Sequence, residues 1–147
     1  MGTTQTATHA RRLSRRLAMQ AIYQWQMTGD DAGVIFRQFL EEPGIARADE
    51  GYFRDLLYGV VDHCQALDDL LVPHMQRTID EVDPVERAIL RLAAYELAHR
   101  PEVPYRVALN EGVELARRFG ASEGHRFVNG VLDKVARRVR AGEAGRG

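Results

Sequence analysis

Apolar residues recur along most of this chain at spacings of three and four, the period of an α-helix. No stretch alternates for long enough to read as a strand, and there is no internal repeat. Leu13, Leu17, Ala21 and Trp25 stand at i, i+4, i+8 and i+12, with Ala18 and Ile22 widening the stripe. They predict a helix over residues 10–28 that ends at Gly29. Val34, Ile35, Phe36, Phe39 and Leu40 predict a short second helix stopped by Pro43 and Gly44. Phe53, Leu57, Val60, Val61 and Cys64 predict a third over residues 49–67. Its continuation to Ile79 has to break or bend at Pro73.

The clearest helix start is Asp83-Pro84-Val85-Glu86: a cap, a proline in the first turn, and an acid three residues after the cap, in capping-box position. The helix that follows, over 85–99, is apolar nearly all round and is expected to be the most buried. Pro101 and Pro104 separate it from a helix carrying Val107, Leu109, Val113, Ala116 and Phe119, with Gly120 as its stop. Ser122 is expected to cap the last helix, which carries Phe127, Val128, Val131, Leu132, Val135, Ala136 and Val139 on one face. The fold class is all-α, six or seven helices. The 147 residues form one domain, with 1–9 and 142–147 expected as disordered tails.

Composition narrows the class. With 45% hydrophobic and 28% charged residues the chain has an ordinary globular balance. The longest apolar run, glycine included, is six residues (56–61), far short of the roughly 20 a bilayer crossing needs. The N-terminus lacks the apolar segment of a secretory signal, and the one cysteine, Cys64, fits a reducing cytoplasm. Net charge is −1, but unevenly laid out: residues 1–29 carry +4, 30–86 carry −10, 87–116 are neutral and 117–147 carry +5. Two basic ends flanking an acidic middle would suit a polyanion if the fold brought those ends together.

Candidate chemistry concentrates in three places. Arg11, Arg12, Arg15 and Arg16 form two i, i+4 rows with no acid nearby in sequence, and Tyr23 follows on the side of Arg12 and Arg16. Guanidinium groups bind phosphates bidentately, and an adjacent aromatic can stack on an unpaired base. A solvated face neutralised by the acidic middle is the alternative. Phe119, Arg126 and Phe127 surround the start of the last helix, whose free N–H groups favour an anion, whereas Glu123 would repel one. At i, i+4 and i+8 with Val131 and Val135, Phe127 reads more readily as core. In the acidic middle, His74, Asp80 and Glu86, the last at an exposed helix start, would form the rim of a dock for a basic protein. Plain solubility is the simpler alternative.

Catalysis finds little support. Asp62, His63 and Cys64 are consecutive and point three ways on a helix, and Cys64 reads as a core thiol. The five histidines have no metal-ligand spacing, and no phosphate-binding glycine loop is present. No metal and no cofactor is expected.

Six segments together resemble one family. They are Arg-Arg-Leu-Ala-Met-Gln-Ala-Ile-Tyr-Gln-Trp at 15–25, Tyr-Phe-Arg-Asp-Leu-Leu at 52–57, Val-Glu-Arg-Ala-Ile-Leu-Arg at 85–91, Ala-Tyr-Glu-Leu at 94–97, Val-Pro-Tyr-Arg-Val-Ala-Leu-Asn-Glu at 103–111 and Phe-Val-Asn-Gly-Val-Leu-Asp at 127–133. In this order, over residues 10–140, they are similar to the NusB family of bacterial transcription antitermination factors. The resemblance implies two small helical bundles packed together and a binding adaptor, not an enzyme. It implies pairing with the small ribosomal protein that doubles as NusE. It also implies binding of single-stranded boxA RNA from ribosomal RNA operons, within a transcription elongation complex reading through terminators. By position it makes Arg11, Arg12, Arg15 and Arg16 phosphate contacts, places Tyr23 and Phe127 near RNA with Glu123 beside the site, and turns His74, Asp80 and Glu86 toward the partner; Arg126, next to Phe127, joins the expected RNA set from its place at the start of the last helix. His74 departs from relatives that carry tyrosine there. Gly130 is expected to admit a neighbouring helix and Asn129 to satisfy buried backbone groups. Two rivals stand beside this reading: the RNA-binding domain of an RNA cytosine methyltransferase, for which the chain leaves no room for a catalytic domain, and a structural homodimer built on the first helix.

Overall fold

A computed structural model describes residues 2–144, so Met1 and residues 145–147 of the expected tails lie outside the described residues. Among the described residues there are eight α-helices and no strand: α1 Gly2–Thr28, α2 Ala32–Phe39, α3 Glu50–Asp62, α4 Cys64–Leu71, α5 Pro84–His99, α6 Tyr105–Phe119, α7 Gly124–Val139 and the single turn α8 Ala141–Ala144. Short 3-10 turns occupy Pro43–Arg47, Val72–His74 and Ile79–Glu81.

The helix α5 is the axis of the molecule. Eleven of its sixteen residues are buried, because α1, α3, α4, α6 and α7 all pack on it. The result is two small helical groups, α1–α4 and α5–α7, sharing one contiguous core. Asp83 starts α5 as its sequence suggests, its Oδ1 accepting from the N–H groups of Val85 and Glu86. At the other end, Arg140 from the end of α7 donates to the carbonyls of Glu96, Leu97 and Arg100. Glu96 and Arg100 also accept from the N–H groups of Arg100 and Val103, whereas Leu97 stands four residues before Pro101, which has no N–H to offer it.

Several boundaries differ from the periodicity. α1 starts at Gly2, so residues 2–9, expected as a tail, continue the helix, and residues 141–144 form a helical turn. Residues 49–67 are not one helix: the backbone turns at His63 (φ −114°, ψ 18°), separating α3 from α4. Gly59 lies one turn before that break because the Tyr95 ring crosses α3 there, where any Cβ would collide with it. Pro73 sits in a 3-10 turn, which its missing N–H tolerates. α7 is not capped by Ser122; the residue before it is Glu123, in the left-handed region (φ 66°) and without a side-chain capping bond. Ser14 is fully buried and joins α1 to the start of α3, donating to the Asp49 carbonyl while the Asp49 N–H donates to its Oγ.

Candidate nucleic-acid interface

The four arginines of α1 have four different surroundings. Arg12 extends into solvent, 63% exposed, and its Nε donates to Glu111 on α6 at 3.0 Å. Arg15 turns inward. Its side chain is 5% exposed, and its Nε and Nη2 hold both oxygens of the Glu96 carboxylate at 2.9–3.0 Å. The Tyr52 hydroxyl donates to the same carboxylate. Burial works against the Arg15 charge, but the hydrogen bonds and charge of Glu96 outweigh it and hold the guanidinium more firmly protonated than usual. Burial, then the Glu96 charge, pushes the Tyr52 hydroxyl well above its ordinary range. Arg15 is therefore a correction to the expected set: a side chain committed to a buried carboxylate has no free edge for a phosphate. Arg11 lies over the Tyr52 ring at 4.3 Å. Arg16 is half-buried, and its Nε is enclosed without a hydrogen-bond partner. The acids absent from the local sequence thus arrive from α5 and α6.

Between α1 and α6 runs a groove of about 610 Å³. His9, Arg12 and Arg16 line one wall, and Glu111, Glu114 and Arg118 the other. The basic N-terminal segment meets one arginine of the basic C-terminal segment here, Arg118, with two glutamates on the same wall as Arg118.

A second cleft, of about 270 Å³, separates residues 74–77 from α7. Phe127 is half-buried, packed on the core on one side and covered by the Arg77 guanidinium at 4.1 Å on the other. It is both core and cleft wall. Arg126 is 77% exposed and pairs with Glu123 at 3.1 Å. His74 lines this cleft, with its Nε2 enclosed and unpartnered. The structure therefore groups His74 with Arg126 and Phe127. Tyr23 is exposed and lines neither cleft, and Phe119 is exposed beneath the Arg118 guanidinium at 5.1 Å.

Of the expected protein dock, Asp80 is 91% exposed and reaches Arg87 at 3.7 Å. Glu86 is a second correction. It is 3% exposed, and its Oε2 accepts from the Ala121 N–H at 2.9 Å beneath the turn joining α6 to α7. Gly124 lacks a Cβ where that carboxylate presses, so the turn is built around Glu86. For the same reason Glu86 does not complete a capping box, and it is unavailable to a partner. Asn129 and Gly130 are a third correction: both are exposed, and a Cβ at Gly130 would meet nothing within 4 Å. No neighbouring helix approaches there.

Cys64 is half-buried at the start of α4 and is not a core thiol; burial raises its pKa, which disfavours a thiolate. Among the described residues no group of three His, Cys, Asp or Glu side chains could hold a metal ion, and no helix is long and apolar enough to cross a membrane. The sequence reading missed Arg77, Arg118 and Lys134. A signal existed for Lys134, which follows Arg126 and Gly130 at i+8 and i+4 on one helix face; for Arg77 nothing local marked it.

Residues 12–137 match the model of the NusB family. A transcription antitermination protein NusB of Shewanella halifaxensis is 53% identical over 130 residues, spanning 88% of this chain and 96% of the relative. A solved T. maritima NusB superposes with a TM-score of 0.82 at 27% identity, covering 93% of this chain and 97% of that one. A chain from a complex of antitermination factors NusB and NusE with double-stranded RNA superposes at 0.81, also at 27% identity, covering 88% and 98%. A relative spanned almost whole at this identity, a matched family model and the superposed helices agree, and the chain belongs to the NusB family.

Proposed function

We propose that this chain is a transcription antitermination factor: an adaptor without catalysis that joins a NusE-like ribosomal protein, binds boxA-type RNA of ribosomal RNA operons and acts in the cytoplasm within the elongation complex. The observation that carries this reading is the 53% identity to antitermination proteins across 96% of their length. The solved neighbour containing NusB, NusE and RNA supports both partners. The geometry supports the nucleic-acid half of the reading. Arg12 and Arg16 from one basic end face Arg118 from the other across a groove, and Arg126, Arg77 and Phe127 offer cations around an aromatic ring. Arg11, Tyr23 and Glu123 complete the proposed RNA set, Glu123 by occupying Arg126 and so restraining affinity. Exposed Asp80 is the proposed acidic contact for the protein partner.

The test is a salt titration of binding to boxA-type single-stranded RNA, to a scrambled strand and to an RNA duplex, with and without the NusE-like partner. Each phosphate contact adds about −0.7 to the log–log slope for a single strand, so Arg12→Ala with Arg16→Ala should flatten the slope by about 1.4 while helicity persists. Preference for boxA that strengthens with the partner is the expected result. Equal weak binding to all three RNAs would reduce the site to a basic surface, and no binding with the partner present would refute the reading.

A further inference from the structure

Six large apolar side chains stand exposed among the described residues, and three of them share one corner: Tyr23, Met27 and Val34, with Met27 the most open at 54%. The other three, Val72, Val107 and Phe119, are spread over separate places in the fold. Tyr23 and Met27 are one turn apart on α1. After Gly29 the chain turns back as α2, and the Gln24 Nε2 donates to the Gln38 Oε1 at 2.7 Å, which sets the register of the two helices. Met27 lies one turn after Gln24 and Val34 one turn before Gln38, so the antiparallel pair places them side by side. The core does not account for them. The inward face of α2 is Ala32, Ile35 and Phe39, and neither Met27 nor Val34 packs against the core cluster. A single exposed apolar residue is ordinary, whereas a contiguous group marks a surface that something covers.

The charges around this corner specify what covers it. No charged residue occurs from Leu17 to Gly29. The charges begin at the two ends of α2, with Asp30 and Asp31 before it and Glu41 and Glu42 in the turn that ends it. All four are exposed, and among the described residues none of them is in an ion pair. The one cation of α2, Arg37, is set toward α3: its Nη1 and the Tyr58 hydroxyl stand 3.5 and 3.3 Å from the place of a Gly33 Cβ. The surface is therefore an uncharged apolar floor between two acidic ends. It repels a phosphate strand and complements a protein that carries cations on either side of apolar residues. It also lies apart from the RNA path, since Tyr23, Met27 and Val34 line neither cleft. We infer that this face of α1 and α2 is a docking surface for a basic amphipathic helix of a protein other than the NusE-like partner, whose proposed contact is Asp80. Its apolar residues would rest on Met27 and Val34 and its cations would face Asp30, Glu41 and Glu42. The eight residues of α2 span about 12 Å, so those cations stand at least about two turns apart.

The probe is a synthetic helical peptide with leucines on one face and lysines in its first and last turns, titrated into the full chain by fluorescence anisotropy. One control peptide has the same composition in scrambled order, and a second carries glutamates in place of the lysines. The leucine–lysine helix is expected to bind more tightly than both. Met27→Gln with Val34→Gln keeps helix formers of similar length, so the melting temperature should hold while peptide affinity falls by about fivefold or more. Asp30→Asn with Glu41→Gln and Glu42→Gln should weaken binding at low salt and flatten its salt dependence; Asp31 is left in place because it caps α2. Should the double variant not fold, Met27→Gln alone is read in its place, with a loss of about twofold or more expected. No binding of the leucine–lysine helix, equal binding of the control peptides, or binding unchanged by the substitutions overturns the inference. Displacement of the peptide by boxA-type RNA overturns it in favour of a nucleic-acid surface, and displacement by the NusE-like partner overturns it in favour of that partner's own interface. The proposed function is read from RNA binding without the peptide, so it stands or falls separately.

Discussion

Arg12 and Arg15 leave the same helix three residues apart, yet the first is 63% exposed and the second 5%. The difference lies in what each meets. Arg15 meets Glu96, itself 1% exposed, and the two charges are stable in the interior only as a hydrogen-bonded pair shared with Tyr52. Removing one partner leaves the other charged and buried. Arg15→Ala should therefore lose about 3–5 kcal/mol in urea unfolding, whereas Arg12→Ala, whose exposed pair with Glu111 is worth at most about 1 kcal/mol, should barely change stability. An Arg15→Ala variant as stable as the unsubstituted chain would return Arg15 to the set available for phosphates. The arginine rows themselves are legible in sequence, and so is their polar character. Which member turns inward is not, because Glu96 is 81 residues away along the chain. Glu86 was misplaced for a similar reason: its capping-box position is a local signal, and the Ala121 N–H that claims it is 35 residues distant.

Among the elements, helices with marked ends were legible, α5, apolar nearly all round and started by Asp83, and α6 with its Gly120 stop above all. The division between α3 and α4 was not, because it depends on rings arriving from α5. His63 at the break lies against His99 from the end of α5, the rings tilted with centroids 4.4 Å apart, and His99 in turn stacks on Tyr95 at 5.0 Å. Burial, and then the neighbouring His63, lower the His99 pKa below its ordinary value. The folded state thus binds the His99 proton less well than the unfolded chain does. Its contribution to stability is present above the unfolded value, near about 6.5, and is lost as pH falls from there toward the lowered folded value. Thermal unfolding between pH 7 and pH 5 should show a falling melting temperature, with a smaller fall in His99→Gln. An identical fall in the variant would show that the junction between these helix ends does not sense protons through His99.

On the scale of the whole molecule, the alternation of charge along the chain becomes an arrangement in space. The sequence could state only that two basic ends flank an acidic middle; the fold joins those ends across the groove between α1 and α6 and inserts Glu111 and Glu114 into it. The groove is therefore a partly neutralised basic surface in which Glu111 already holds Arg12, so a phosphate in the proposed RNA site would compete with that carboxylate. That competition makes a measurable prediction. Glu111→Gln keeps the shape of the side chain, removes its charge and releases Arg12; its oxygen nearer Arg15 is 3.9 Å away, so the buried pair with Glu96 stays intact. An exposed ion pair is worth about 0.2–1 kcal/mol, so RNA affinity should rise at low salt by up to about fivefold. The gain should fade as salt approaches 1 M, where screening shrinks to about 3 Å. A gain that persisted at 1 M would point to a change of shape instead of charge. No gain at low salt would place the RNA path outside this groove and leave the cleft at Phe127 as the whole of the proposed RNA surface.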